Sequence, residues 1–358
     1  MKIEKLYPAC KEIVWGGRKL KEKYGKITDK DPCAESWELS FHKDGPACLA
    51  NGKTLAESVT MKELGSNTDG FPFFPTLIKF IDAEANLSVQ VHPSDAYALK
   101  NENSFGKTEM WYIVEAERGA GIYLGFNRDV TKEEYETAIA ENRLTELLNF
   151  YEVKAGESYF IPSGTIHAIG KGCLICEIQQ NSNLTYRVYD YGRTDKDGKP
   201  RELHVEKALK VTNLSRYENK PIRANSADAG TVLGVSRYFT VKKYTITGAT
   251  TLESDAASFR SVTCVRGNAT IDGESMRAGD SFFVPASYGK FTVDGDADIV
   301  VSEVRRYAFR VNETGAKIVD DRGTTLVSMQ NEGGRYALNE MKATLLASVY
   351  MSEDDLTD

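Results

Sequence analysis

Four residues spread over the first half of the chain have the types and spacing to hold a cation. In LSVQVHP, Gln90 and His92 stand two apart, so on a strand both leave one face while Val89 and Val91 leave the other. If that face points into a core, an uncompensated amide and imidazole each forfeit roughly 1 to 3 kcal/mol of hydration, which a metal ion would offset. The alternative is the solvent-facing side of an edge strand. Glu109 opens a second apolar run, GKTEMWYIV, and His167 follows Gly156, Pro162 and Gly164, which carry the chain around a tight corner. Two imidazoles, one carboxylate and an amide oxygen form a borderline N/O set that suits Zn²⁺ and leaves positions open to water or substrate; manganese, iron or nickel fits the same donors. Taken alone, His167 reads equally well as a structural turn residue.

Cations flank this set. Lys107 precedes Glu109 by two and shares its face if the strand has already begun. Beside a divalent ion its ammonium form is disfavoured, which makes it a general base; otherwise it is a solvated lysine after Gly106. Lys79 interrupts the apolar run TLIKF and belongs at a barrel mouth, inside the barrel, or on an exposed strand face. In QQNSNLTYRVYDYGR, alternation puts Thr185, Arg187 and Tyr189 on one face and Tyr186, Val188 and Asp190 on the other. Arg187 is there a fixed donor for an oxyanion or a phosphate, and Arg193, in the turn beyond, either joins it or is solvated. Trp15, before two glycines, and Glu35, in ESWE, pair an aromatic wall with a carboxylate, an arrangement that sugar rings favour and that core packing also explains. Cys173-x-x-Cys176 lies in the apolar run CLICEIQQ with no second pair, so it reads as strand core rather than a zinc or redox motif.

Strands must position these side chains. Runs at Pro75 to Phe80, Leu87 to His92, Met110 to Val114, Glu157 to Ile161, Cys173 to Gln180 and Leu184 to Tyr189 are β-rich and bounded by Gly, Pro, Asn or Asp. Helical periodicity is confined to Thr131 to Leu148, opened by a Thr131-x-x-Glu134 capping box, and to His204 to Val211. The pattern predicts an all-β fold, barrel or sandwich, with helical insertions. Residues 154–167 (KAGESYFIPSGTIH) are echoed at 277–290 (RAGDSFFVPASYGK), which implies two copies of one barrel unit. The second copy has Ser287 for Gly164 and Lys290 for His167, and all four histidines fall within the first 204 residues, so only the first barrel is expected to hold metal.

The polar stretch from about 219 to 233 is the expected linker. Residues 1–225 are then the metal-binding catalytic domain with a helical insert at about 131–148, 226–310 the second barrel without metal ligands, and 311–358 a C-terminal extension. That extension contains a turn at Asp320-Asp321-Arg322-Gly323 and ends in an acidic tail expected to be disordered.

The chain of 358 residues is large enough to bury real cores, and 45 basic against 52 acidic residues argue against nucleic-acid or anionic-membrane partners. Any phosphate must therefore be met locally. No apolar leader or membrane span is visible, and six dispersed cysteines fit a reducing cytoplasm.

The first 195 residues resemble the type I mannose-6-phosphate isomerases, especially the short bacterial form, through IVWGG, ESWELS, FPTLIKFIDAEANLSVQVHP, GKTEMWYIV, IPSGTIHAIG and NSNLTYRVYDYGR in order. The resemblance implies two cupin jelly-roll barrels and one Zn²⁺ per chain on Gln90, His92, Glu109 and His167. It implies reversible conversion of mannose 6-phosphate and fructose 6-phosphate through a cis-enediol, with Lys107 as base and Arg187 as electrostatic stabiliser. Zinc-held water or Glu177 could share the proton work, and Lys79, Arg187 and Arg193 would meet the phosphate. The general cupin pattern is only partly kept: a His is wanted where Gln90 stands, and Glu109 comes late after His92, which disfavours a metal-dependent oxygenase. A metal-holding, sugar-phosphate-binding protein without turnover is the competing reading. The oligomeric state is not fixed by the sequence.

Overall fold

A computed structural model describes residues 1–194, 198–218, 230–312, 314–331 and 334–357. It is mostly β, with helices inserted between strands. Two compact units divide the chain, one of Pro8–Gly45 and Leu77–Asn219, the other of Met1–Tyr7, Pro46–Thr76 and Lys220–Asp358. The expected linker falls mainly on residues 219–229, outside the described residues.

In the unit that carries the candidate site, alternation fixes which way each side chain points. A six-stranded antiparallel sheet runs Ala9–Lys11, Glu35–Leu39, Thr76–Asp82, Cys173–Gln180, Glu109–Ala116, Ser158–Ile161. A five-stranded sheet runs Tyr186–Tyr189, Val89–Val91, His167–Ile169, Gly121–Phe126, Leu148–Glu152. One core joins Ile81, Trp111, Ile113, Ile161 and Ile175 of the first to Ile122, Leu124 and Ile169 of the second. On its other face the five-stranded sheet packs Val89, Val91, Ala168, Tyr186 and Val188 against Tyr135 and Ala138 of the helix Lys132–Ala140 and Ala208 of the helix Val205–Val211. The valines of LSVQVHP therefore face helices, not water. Their polar neighbours face the other way, which removes the solvent-edge reading of Gln90 and His92.

The helix expected to reach Leu148 stops at Ala140. Asn142 takes the left-handed conformation at φ +56°, which ends the helical hydrogen-bond ladder, and Leu144–Leu147 form only a 3-10 turn before Leu148 enters a strand. The capping box is half made. Thr131 accepts from the Glu134 N–H at 3.2 Å, while the Glu134 carboxylate pairs with Arg128 instead of turning back. Cys173 packs in the core beside Ile175, and all six cysteines are free thiols.

In the other unit an eight-stranded antiparallel sheet encloses a core that includes Ile246, Val262, Phe282, Val293 and Ile299. The sequence echo is visible in the backbone. Gly156 and Gly279 have φ of +93° and +96°, each just before the matching strands Ser158–Ile161 and Ser281–Val284. Ser287, standing where the first copy has Gly164 (φ +84°), still holds φ +61°, so the turn outlasts its glycine.

In the described part of the C-terminal extension, strands Tyr307–Asn312, Gly315–Asp320 and Thr325–Gln330 carry the expected turn and pack Ile318 and Val327 against Leu345 and Leu346 of the helix Leu338–Ser348. The expectation of a disordered tail fails for its described part. The Thr357 N–H donates to the Tyr307 carbonyl at 2.9 Å, anchoring the end of the chain to a strand. Among the described residues, no helix is long and apolar enough to cross a membrane.

Candidate metal centre and active site

Strand register brings three of the expected residues side by side. Gln90 is the direct cross-strand partner of both Arg187 and His167. Glu109 comes from the facing sheet, and the ligating atoms of His92, Glu109 and His167 all lie within 4.8 Å of one another. No other such cluster occurs among the described residues.

Each imidazole is aimed from behind. His92 Nδ1 donates to the Leu184 carbonyl and His167 Nδ1 to that of Thr165, both at 2.8 Å, so the lone pair of each ring is on Nε2, turned toward the cluster. The Gln90 amide nitrogen lies 3.4 Å from His167 Nε2, and a half-turn of the amide presents its oxygen to the same point. Loops tie in closely. The Gly164 N–H donates to the His92 carbonyl at 2.7 Å and the Lys107 N–H to that of Pro93 at 3.0 Å. At Gly106 a Cβ would sit 2.5 Å from the Pro93 oxygen, so only glycine lets the Lys107 loop approach this strand.

The donors fit a divalent cation. Glu109 is fully buried and neither of its oxygens accepts a well-directed hydrogen bond, although Lys107 Nζ is 2.5 Å from Oε2. The same ammonium is 3.0 Å from His92 Nε2, so the side chains already converge on one positive charge. Burial, and then the charge of Lys107, push His167 down to about 4, and the same two causes hold His92 well below its ordinary value. Both rings are thus neutral at pH 7, the form that binds metal. Burial lifts the Glu109 carboxyl above the carboxylate range against the pull of Lys107.

The Lys107 ammonium is expected to be disfavoured beside a divalent ion. Burial would lower its ammonium pKa, but Glu109 and Glu177 outweigh burial and raise it. The expected depression requires a divalent ion on the same donors to reverse the local field.

Beside these side chains lies a cavity of about 150 Å³, lined by Trp15, Glu35, Lys79, Gln90, Lys107, Glu177 and Arg187 among others. Seven of the residues singled out in the sequence therefore meet here. Glu177 accepts from Trp111 Nε1 at 3.0 Å and lies 3.6 Å from Lys79 and 3.8 Å from Lys107. Burial opposes its charge, but the two lysines prevail and hold its carboxyl below the usual range. Lys79 is shared between Glu177 and Glu35 and sits 4.7 Å from the centre of the Trp37 ring. Arg187 donates from Nε to Ser88 Oγ at 3.2 Å and from Nη1 to the Glu202 carbonyl at 2.9 Å.

Arg193 does not line the cavity. Its guanidinium donates to Asp190 and to the Asn86 carbonyl and stands over Tyr191. Arg201, which sequence reasoning missed, does line it. It lies in the polar stretch KPRELH, where neither periodicity nor a motif marks it.

Two family models match the chain: the catalytic domain of type I phosphomannose isomerase over residues 3–120, and the cupin domain of mannose-6-phosphate isomerase over residues 230–304. Mannose-6-phosphate isomerase of Streptococcus mutans is 37% identical over 304 residues, covering 81% of this chain and 94% of that protein. Mannose-6-phosphate isomerase ManA of Bacillus subtilis is 37% identical over 312 residues, covering 83% and 97%. A crystal structure of the mannose 6-phosphate isomerase from Bacillus subtilis superposes with a TM-score of 0.77 at 34% identity, covering 84% of this chain and 99% of that one. With relatives this similar along nearly their whole length, the chain belongs to the type I mannose-6-phosphate isomerases, a family of enzymes.

Proposed function

We propose that the protein interconverts mannose 6-phosphate and fructose 6-phosphate, using one Zn²⁺ per chain held by Gln90, His92, Glu109 and His167. The observation that carries this reading is the convergence of His92, Glu109 and His167 within 4.8 Å beside a cavity lined by Lys79, Lys107, Glu177 and Arg187. When bound there, the ion supplies Lewis-acid polarisation of adjacent sugar oxygens and a charge that disfavours the Lys107 ammonium.

Lys107 takes the proton from C2 of the aldose; the C–H electron pair becomes the C1–C2 double bond and O1 gains a proton. The cis-enediol then loses the O2 proton while C1 is protonated, giving the ketose. Glu177, 3.8 Å from Lys107 Nζ, shares the proton transfers. Arg187 stabilises charge as it develops on the sugar oxygens. Trp15 and Glu35 line the cavity as wall and acceptor for the ring. The phosphate is met by Arg187, with Lys79 and Arg193 contributing positive field from their ion pairs.

In this reading the catalytic cupin domain lies within residues 1–225, which also lend 1–7 and 46–76 to the other unit, a second cupin barrel without metal lies at 226–310, and 311–358 are an extension outside the chemistry; free thiols fit a cytoplasmic setting.

The test couples fructose 6-phosphate formation from mannose 6-phosphate to a dehydrogenase. Turnover is expected in the purified protein, loss after chelation, and recovery on zinc readdition. Substrate binding with no turnover in any arm would make the protein a binder rather than an isomerase.

A further inference from the structure

We infer that Arg201 is a second phosphate-binding arginine of this cavity, paired with Arg187 and held in place by Asp190. The inference rests on the sugar-phosphate reading above and names a contact that reading lacks. Of the cations expected to meet the phosphate, Lys79 lies between two carboxylates, and Arg193 is turned onto Asp190 and a backbone carbonyl. Arg187 would be left alone against a dianion.

Arg201 is brought to Arg187 by the backbone. Arg187 Nη1 donates to the carbonyl of Glu202, the residue after Arg201, and the His204 N–H donates to the Arg187 carbonyl at 2.7 Å. The segment 201–204 is thereby clipped along the strand that carries Arg187. Asp190, 5% exposed, fixes the guanidinium: its two oxygens accept from Arg201 Nε at 2.7 Å and Nη2 at 2.5 Å. This is the bidentate fork that holds a guanidinium plane at low entropic cost. Among the described residues, no partner engages Nη1 of Arg201, and the residue lines the cavity together with Arg187, Asn183 and Thr185.

Charge also balances. Arg187, Arg193 and Arg201 against the one carboxylate of Asp190 leave two positive charges, which match a phosphate dianion. Asp190 touches no substrate in this account. It is a positioning residue, and Arg201 is a binding residue.

The experiment compares Arg201→Gln and Asp190→Asn with the parent by isomerase kinetics and by phosphorus NMR titration with inorganic phosphate. Arg201→Gln is expected to raise KM for mannose 6-phosphate about 30-fold and to weaken inorganic phosphate by a similar factor, with kcat within about threefold. Asp190→Asn, which loosens the fork but keeps both arginines, is expected to raise KM about five- to tenfold with the same split. A merely structural role would lower kcat and active fraction without moving KM. KM and phosphate affinity within twofold of the parent in Arg201→Gln would overturn the inference. If the parent itself shows no isomerisation, the functional reading fails, and the phosphate titration still decides Arg201.

Discussion

With Lys107 replaced by methionine, turnover of mannose 6-phosphate falls about a thousandfold, the scale of a lost general base, while about one metal ion stays bound per chain. The reason is placement. Among the described residues, Lys107 is the one cation within 4 Å of both a candidate ligand carboxylate and Glu177, and it lines the cavity in which the proposed reaction would place C1 and C2. Methionine keeps the length and the apolar stem, so loss of packing does not account for the effect. Stability provides an internal control. Lys107 and Glu109 are a buried pair, and removing one partner strands the other at a cost of about 3 to 5 kcal/mol. That cost is expected in chelator and is expected to shrink when zinc neutralises Glu109, which urea unfolding with and without the metal would show. A variant that keeps more than a tenth of kcat moves the base elsewhere, and Glu177 is then the first place to look.

Arg187→Ala is expected to lower kcat/KM about a hundredfold or more, the loss that follows removal of one preorganised donor from a developing oxyanion. Arg187 is fixed by its cross-strand pairing to Gln90 and by its bonds to Ser88 and to the Glu202 carbonyl, so its charge arrives without reorganisation. Burial, then the neighbouring Arg201, pushes its pKa down, yet it remains charged at any working pH. Lysine at this position is expected to recover little of the rate, because a point charge cannot bond Ser88 and the 202 carbonyl while also facing substrate. Steady-state kinetics on both variants decide it. Near-parental turnover in Arg187→Ala would remove the residue from the chemistry.

The site was legible where a period shows and illegible where none does. Gln90 and His92 stood out because the valines that alternate with them, Val89 and Val91, need an apolar cover, which the helices Lys132–Ala140 and Val205–Val211 supply. The loss of His167 and Gly164 from the repeat marked those positions as special, although the positive φ at Ser287 shows that the turn itself is kept without its glycine. Arg201 and the Asp190 fork left no such trace, since a loop residue pinned by one carboxylate has no periodicity to betray it. The helix past Ala140 was overread because the apolar spacing at Leu144 and Leu147 continues across Asn142, whose left-handed backbone breaks the helix while the side chains still reach the core. Grouping of residues 46–76 with the C-terminal half depends on contacts distant in sequence and cannot be seen in local pattern. The described tail is held by the bridge to Tyr307, by Leu356 packed on the core and by the Arg237 N–H bond to Asp355, contacts that its acidic composition hides.

The central claim is that two imidazoles, a carboxylate and an amide gather one catalytic ion. Elemental analysis of the parent and of His92→Ala after equilibration in equal low zinc tests it most directly. About one zinc per chain in the parent, and less than about a tenth of that in the variant together with lost isomerase activity, is the predicted result. Equal zinc retained by both proteins would contradict it.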